Sequence, residues 1–173
     1  MLSLTVHALL AFVVIAITLR ANPQIFRRTA SGPLLSPFEL ALYGVGIVSI
    51  IGGWTFNIRF VVENTDGWLT NPIWGDGSWE QYMRLMFDNP AAGSAGIDFI
   101  IANVVILPLF AIIDGRRRGI KQPWLYFVVT LFASFTFGWA FYLATVERQR
   151  RLAKESGGSE PAPSQGAGSE AVA

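Results

Sequence analysis

LSLTVHALLAFVVIAITL, residues 2–19, carries no charged side chain and is closed by Arg20. As a helix rising 1.5 Å per residue it covers about 27 Å, close to the hydrocarbon thickness of about 30 Å. A cleaved signal peptide is the rival reading. It calls for a basic start and a small-residue cleavage site. No Lys or Arg precedes the block, and Arg20 follows it directly, so the expectation is a retained span.

The same contrast of apolar blocks and charged gaps repeats along the chain. RANPQIFRRTASGPLLS, residues 20–36, is a connector broken by Pro23, Gly32 and Pro33. A second span is expected at about 38–56, with Pro37 in its opening turn and Gly44, Gly46, Gly52 and Gly53 inside it. A long polar stretch follows. It holds Glu63, Asp66, Asp76, Glu80 and Asp88 against only Arg59 and Arg84, together with Trp68, Trp74, Trp79 and Gly67. Ser78 to Gln81 reads as a capping box, which predicts a short helix at about 79–88 stopped by Asn89-Pro90. Trp79, Tyr82, Met83 and Met86 fall on one face of it, and Glu80, Arg84 and Asp88 on the other at a spacing that allows pairing. Such a helix is expected to lie along the membrane surface, apolar face down.

A third span is expected at about 97–113, containing Asp98 and Asn103 and kinked at Pro108. DGRRRGIKQP, residues 114–123, is a tight basic loop. A fourth span, rich in aromatic residues, is expected at about 124–146. From residue 152 the chain turns to Gly, Ser, Pro, Ala and Glu, a composition unable to bury a core, so residues 152–173 are expected to be a disordered tail. The predicted fold is all-α: a compact bundle of four transmembrane helices in residues 1–151, with an interfacial helix between spans two and three.

Composition narrows the function classes. Net charge is +1, which gives no bulk field for nucleic acid. The chain has no cysteine and a single histidine, His7, so thiolate chemistry and multi-histidine metal or haem sites are excluded. Mean hydropathy is +0.43. Phe (thirteen) and Trp (six) are numerous, as membrane interfaces use them.

Orientation is balanced on a four-span reading. One arrangement retains Arg20, Arg27, Arg28, Arg116, Arg117, Arg118 and Lys121 in the cytoplasm. The other retains Arg59, Arg84, Arg148, Arg150, Arg151 and Lys154. Basic residues near span ends normally stay inside, and seven against six does not decide. The short basic loop and the acidic, Trp-rich long loop favour both termini outside.

From about Gly44 to Arg151 a series of features occurs in a set order: Phe87-Asp88-Asn89-Pro90-Ala91, then Asp98, then Asp114-Gly115-Arg116-Arg117 with Gly119, Trp124, and Phe141-Tyr142-Leu143 before a basic segment. In this the chain resembles a family of small bacterial membrane proteins, domain of unknown function 2834. It differs in having an added N-terminal span and a long tail, Asp114 where Glu is commoner, and no proline in the last span. The resemblance implies a bacterial inner-membrane location and brings no activity with it.

Asp98 is the foremost candidate acid, with acid–base work by Glu63 and Asp66 beside it also open, since a carboxylate inside an apolar span is costly and often marks a path or site. A place near the helix start, where the dipole and water favour it, is the plainer account. Asn103 is expected as hydrogen-bonding glue between helices, and Pro108 leaves a free acceptor near Val104. Ser49 and Gly53, four apart, form a small-residue face suited to close helix approach. Glu39 reads as a first-turn carboxylate and His7 as a packed or interfacial histidine. Arg116, Arg117 and Arg118 suit lipid headgroups or anchor topology. Asp76, Ser78 and Glu80 alternate as D-x-S-x-E but lack the rest of a calcium loop, so no metal site is expected, and no cofactor is implied.

No GxSxG, Walker, HExxH or Rossmann pattern occurs. The leading expectation is a non-enzymatic accessory or self-associating membrane component. Its partners would be membrane lipids and a homo-oligomer or membrane complex, with no nucleic acid. The alternative is a small membrane enzyme or binding protein acting on a lipid or isoprenoid. An oligomeric transporter or pore ranks third.

Overall fold

The computed structural model describes residues 2–29, 32–66 and 71–157, with side chains through residue 155. Gly67, Trp68 and residues 158–173 lie outside the described residues. Every described element is helical. Three helices are long and apolar enough to cross a membrane: α1 (Leu2–Ala21), α2 (Pro37–Asn64) and the run Pro90–Arg117. That last run is built of α4 (Pro90–Ile100), a π-helical segment (Ile101–Ile106) and α5 (Leu107–Arg117).

Local chemistry sets these ends. The Ser36 hydroxyl accepts from Glu39 N, and the Glu39 carboxylate accepts from Ser36 N at 2.6 Å, a capping box with Pro37 in the first turn. α2 then runs about two turns past residue 56, and Asn64 ends it. In the third run the π segment stands just before Pro108. Leu107 N donates five residues back to Ala102 O, and the Asn103 amide donates to Phe99 O at 2.8 Å. The irregular turn thus absorbs the donor that proline lacks.

The apolar block 124–146 is not one helix. It forms α6 (Leu125–Phe132) and α7 (Phe135–Gly157), separated at Ala133–Ser134. In a continuous helix Tyr126 and Tyr142 would be about 24 Å apart. Their ring centroids are 5.3 Å apart, and the Tyr126 hydroxyl donates to Thr145 Oγ1 at 2.9 Å. The chain therefore reverses at Ser134 and α7 returns along α6. Ser134 makes the turn possible: its hydroxyl accepts from Phe137 N and its carbonyl from Gly138 N, starting α7 afresh. Gly138 lets the arms touch, since a Cβ there would lie 2.2 Å from Thr130 Cγ2 and 3.0 Å from Tyr126 O.

This hairpin is the centre of the bundle. α1 packs on α6 through Ala11 and Val14 against Leu125, Val129 and Ala133. α2 packs on α7, where a Cβ on Gly46 would meet Phe137 Cδ2 at 2.9 Å. The third run joins through Phe99 on Phe135 and Phe110 on Tyr142. Tyr126, Val129, Tyr142 and Thr145 are fully buried, whereas Leu9, Val48, Ile51 and Leu109 on the long helices are exposed. The long helices thus offer their outer faces to lipid and their inner faces to the hairpin.

Contacts fix which ends of the helices lie together. Buried Asn22, after α1, exchanges hydrogen bonds with Lys121 N and O at 2.9 and 3.0 Å. Arg148 of α7 donates to Glu39 at 2.6 Å, to Arg27 O at 2.9 Å and to Leu34 O, and Arg151 also reaches Glu39. Arg148 and Glu39 are each 1% exposed. The Tyr142 hydroxyl and Arg118 both donate to Asp114 Oδ2 at 2.7 Å. The end of α1, the start of α2 and the ends of α5 and α7 therefore share one end of the bundle.

The opposite end holds the start of α1, the end of α2, α3 (Trp79–Asp88) and the start of α4. Phe60 meets Tyr82 edge-on at 5.4 Å, and Gln81 donates to Asn64 at 3.1 Å. The Leu2 end of α1 and the Gly157 end of α7 thus lie at opposite ends, which corrects the expectation that both termini share the outer face. The reversal moves Arg148, Arg150, Arg151 and Lys154 to the end that already carries the seven basic residues of the two connectors. Only Arg59 and Arg84 remain at the other. The last helix also continues to Gly157, past the boundary at 151 drawn from the sequence.

Candidate functional site

The hairpin tip stops beside Ser49 and Trp54, near the middle of the 28-residue α2. Beyond the tip, α1, α2 and α4 continue with no extensive contact to one another. The space between them is a cavity of about 380 Å³, within the range of small-molecule sites.

Its floor is the tip, Phe132 to Thr136. The tip is tied to α2: Trp54 Nε1 donates to the Ala133 carbonyl at 3.0 Å, and Ser49 Oγ lies 2.7 Å from Ser134 Oγ. One wall is the α2 stripe Ser49, Gly53, Asn57, at a spacing of four. A Cβ on Gly53 would meet nothing within 4 Å, because it faces the void. The small residues read from sequence as a helix-docking face line this space, and the close helix approach occurs one turn earlier at Gly46.

A second wall is the first two turns of α1, Ser3, Leu4 and His7. His7 Nδ1 lies 2.9 Å from Ser3 O. A carbonyl only accepts, so Nδ1 carries a proton in this contact, and Nε2 is an acceptor when the ring holds that proton alone. The His7 ring tilts against Phe132 at 5.8 Å. The roof is α3, whose Trp79, Tyr82, Met83 and Met86 close the cavity from above. That amphipathic face, expected to meet lipid, covers the cavity. Met86 also packs on Gly96 of α4. On the opposite face Glu80 accepts from Gly75 N at 3.3 Å, and among the described residues no ion pair joins Glu80, Arg84 and Asp88.

Among the described residues no Asp, Glu, Lys or Arg lines the cavity. Asp98 is exposed and sits outside the lining, although the next residue, Phe99, is part of it. Asn103 accepts from Trp139 Nε1 at 3.2 Å, tying the π segment to α7. Arg116 and Arg117 are exposed at the basic end. Arg118 is engaged by Asp114, whose hydrogen bond pushes the guanidinium further above its ordinary range. Ser78 caps α3, with Gln81 N donating to its hydroxyl at 3.3 Å, while the Gln81 side chain accepts from Gly77 N at 2.6 Å. Asp76, Ser78 and Glu80 belong to this turn, and among the described residues no three His, Asp or Glu side chains gather as metal ligands.

Sequence reasoning missed Trp54, Asn57 and Ser134 as site residues. The signal present was the repeat of small polar or glycine positions at 49, 53 and 57, together with a serine interrupting the aromatic run at 134.

A family model described as protein of unknown function DUF2834 matches residues 42–148, more than half of the 173-residue chain. No curated protein and no solved structure matches it.

Proposed function

We propose, for a chain that belongs to the DUF2834 family of proteins of unknown function, that it is a three-span inner-membrane protein whose re-entrant hairpin holds open a cavity for a lipid-like guest. α6 has eight residues, about 12 Å of helix, too short to cross. From Phe135 to Arg148, α7 rises about 20 Å of a core of about 30 Å. The hairpin enters from the basic end and turns back inside the membrane, where its backbone is covered by protein, as irregular structure at that depth requires. Eleven of the thirteen basic residues then lie at one end, which supports a cytoplasmic position for that end and an outer one for the Leu2 end. α3 lies at the outer surface as a roof.

The observation that carries the function is the cavity: 380 Å³, uncharged, and bordered by helices that part toward the bilayer. It supports binding of an apolar molecule. It gives no support to acid–base turnover, since Asp98 is outside it. An accessory role in a membrane complex is compatible with such a binder. Gly53→Phe fills the space, and Gly52→Phe, on a neighbouring exposed position, is the control. After purification of the full chain in mild detergent, mass spectrometry of extracted lipid is expected to show a near-stoichiometric species in wild type and Gly52→Phe that Gly53→Phe lacks. Equal lipid in all three overturns the proposal. A Gly53→Phe that instead breaks a detergent-stable oligomer supports the self-association reading.

A further inference from the structure

We infer that the guest of this cavity is an uncharged lipid with a flat ring head bearing a hydroxyl, of the phenol or quinol class, seated head-down at the hairpin tip. The inference rests on the cavity being a ligand site and names its ligand. Charge is the first discriminator. A phosphate or carboxylate head would enter a space with no cationic side chain on its wall, at a desolvation cost nothing there offsets. Phospholipids and fatty acids are thereby disfavoured.

Shape is the second discriminator. Around the tip stand Trp54, Phe99, Phe132 and Phe135, aromatic walls that suit a planar ring through offset or edge contacts. Volume is the third, since about 380 Å³ takes a ring and a short stretch of tail. The rest of the tail leaves between the parted helices into the bilayer.

Hydrogen-bonding chemistry is the fourth. With Nδ1–H given to Ser3 O, a singly protonated His7 ring, which lies beside Phe132, has Nε2 left to accept. The Ser49–Ser134 pair spends one hydroxyl hydrogen between its members and has one remaining to donate. The cavity thus offers one acceptor and one donor, and hydroxyls on a ring head meet them, one donating to His7 and one accepting from serine. A plain hydrocarbon chain would satisfy neither.

The test uses a hydroquinone with a ten-carbon tail and its dimethyl ether, titrated calorimetrically into the full chain in mild detergent. The ether keeps ring and tail and adds two methyl groups, but it cannot donate to His7. The hydroquinone is expected to bind wild type about tenfold more tightly, the worth of one buried hydrogen bond. His7→Phe keeps a ring against Phe132 and is expected to erase that difference. Gly53→Phe is expected to abolish binding of both. Equal affinity of the two probes for wild type overturns the inference, as does a preference that survives in His7→Phe. If neither probe saturates while Gly53→Phe still loses a co-purified lipid, the cavity is a lipid site and the ring-headed class is wrong. If Gly53→Phe changes nothing in either experiment, both readings fall.

Discussion

Gly138→Ala tests the hairpin through a change of sign. In any helix this substitution ordinarily stabilises by about 1 kcal/mol, because alanine loses less backbone freedom. In the structure the new Cβ would lie 2.2 Å from Thr130 Cγ2 and 3.0 Å from the Tyr126 carbonyl oxygen. The first contact is a methyl on the facing arm. The second is backbone and yields only if α6 and α7 separate. Forcing a methyl into such a contact costs about 1–3 kcal/mol. The net expectation is a loss of up to about 2 kcal/mol, read as a lower melting temperature in detergent. Thr130→Ser removes the clashing methyl while keeping the hydroxyl that donates to Phe127 O. The pair Gly138→Ala with Thr130→Ser should recover much of the loss, a coupling of about 1 kcal/mol for residues in contact. Were residues 124–146 one straight span, positions 130 and 138 would stand about 12 Å apart. Gly138→Ala would then stabilise, and the two substitutions would add. A stabilising, additive result refutes the reversal.

Two further outcomes follow from the same architecture. Glu39→Ala leaves Arg148 without its acid at a site where both side chains are 1% exposed, and the loss should be about 3–5 kcal/mol; thermal unfolding of the single and Glu39→Ala/Arg148→Ala variants should show the double costing less than the sum. Trp54→Phe removes the donor to Ala133 O at the tip, and a loss of about 1–3 kcal/mol is expected, visible as faster hydrogen exchange at residues 131–134 with the rest of the bundle unchanged.

The three long helices are legible because long apolar blocks with few charges mark them, although the third run starts at Pro90, before the expected start at 97. The helix at 79–88 is legible from Ser78 and the apolar periodicity that follows it. The reversal at Ser134 is not, because hydropathy counts apolar residues along a segment and is blind to where the chain turns. Residues 124–146 read as a span by that measure. What distinguishes them is Gly138 opposite Thr130, a pairing visible only once the arms are set side by side. The orientation failed to resolve for the same reason, since Arg148, Arg150, Arg151 and Lys154 were assigned to the wrong end. Ser49 and Gly53 were recognised as small, as ligand or packing positions, but a glycine facing a void and one facing a helix have the same sequence signature. Asn22 and Arg148 gave no local sign of burial, as their partners are 99 and 109 residues away.

The central claim is that the chain crosses three times and its last apolar segment turns back within the membrane. The native chain has no cysteine, so single cysteines introduced by Leu2→Cys and Lys154→Cys can be labelled separately in intact cells with a membrane-impermeant maleimide. Labelling of Leu2→Cys in intact cells, with Lys154→Cys labelled only after lysis, is the predicted result. Labelling of both positions from the same side, whichever side that is, would contradict it.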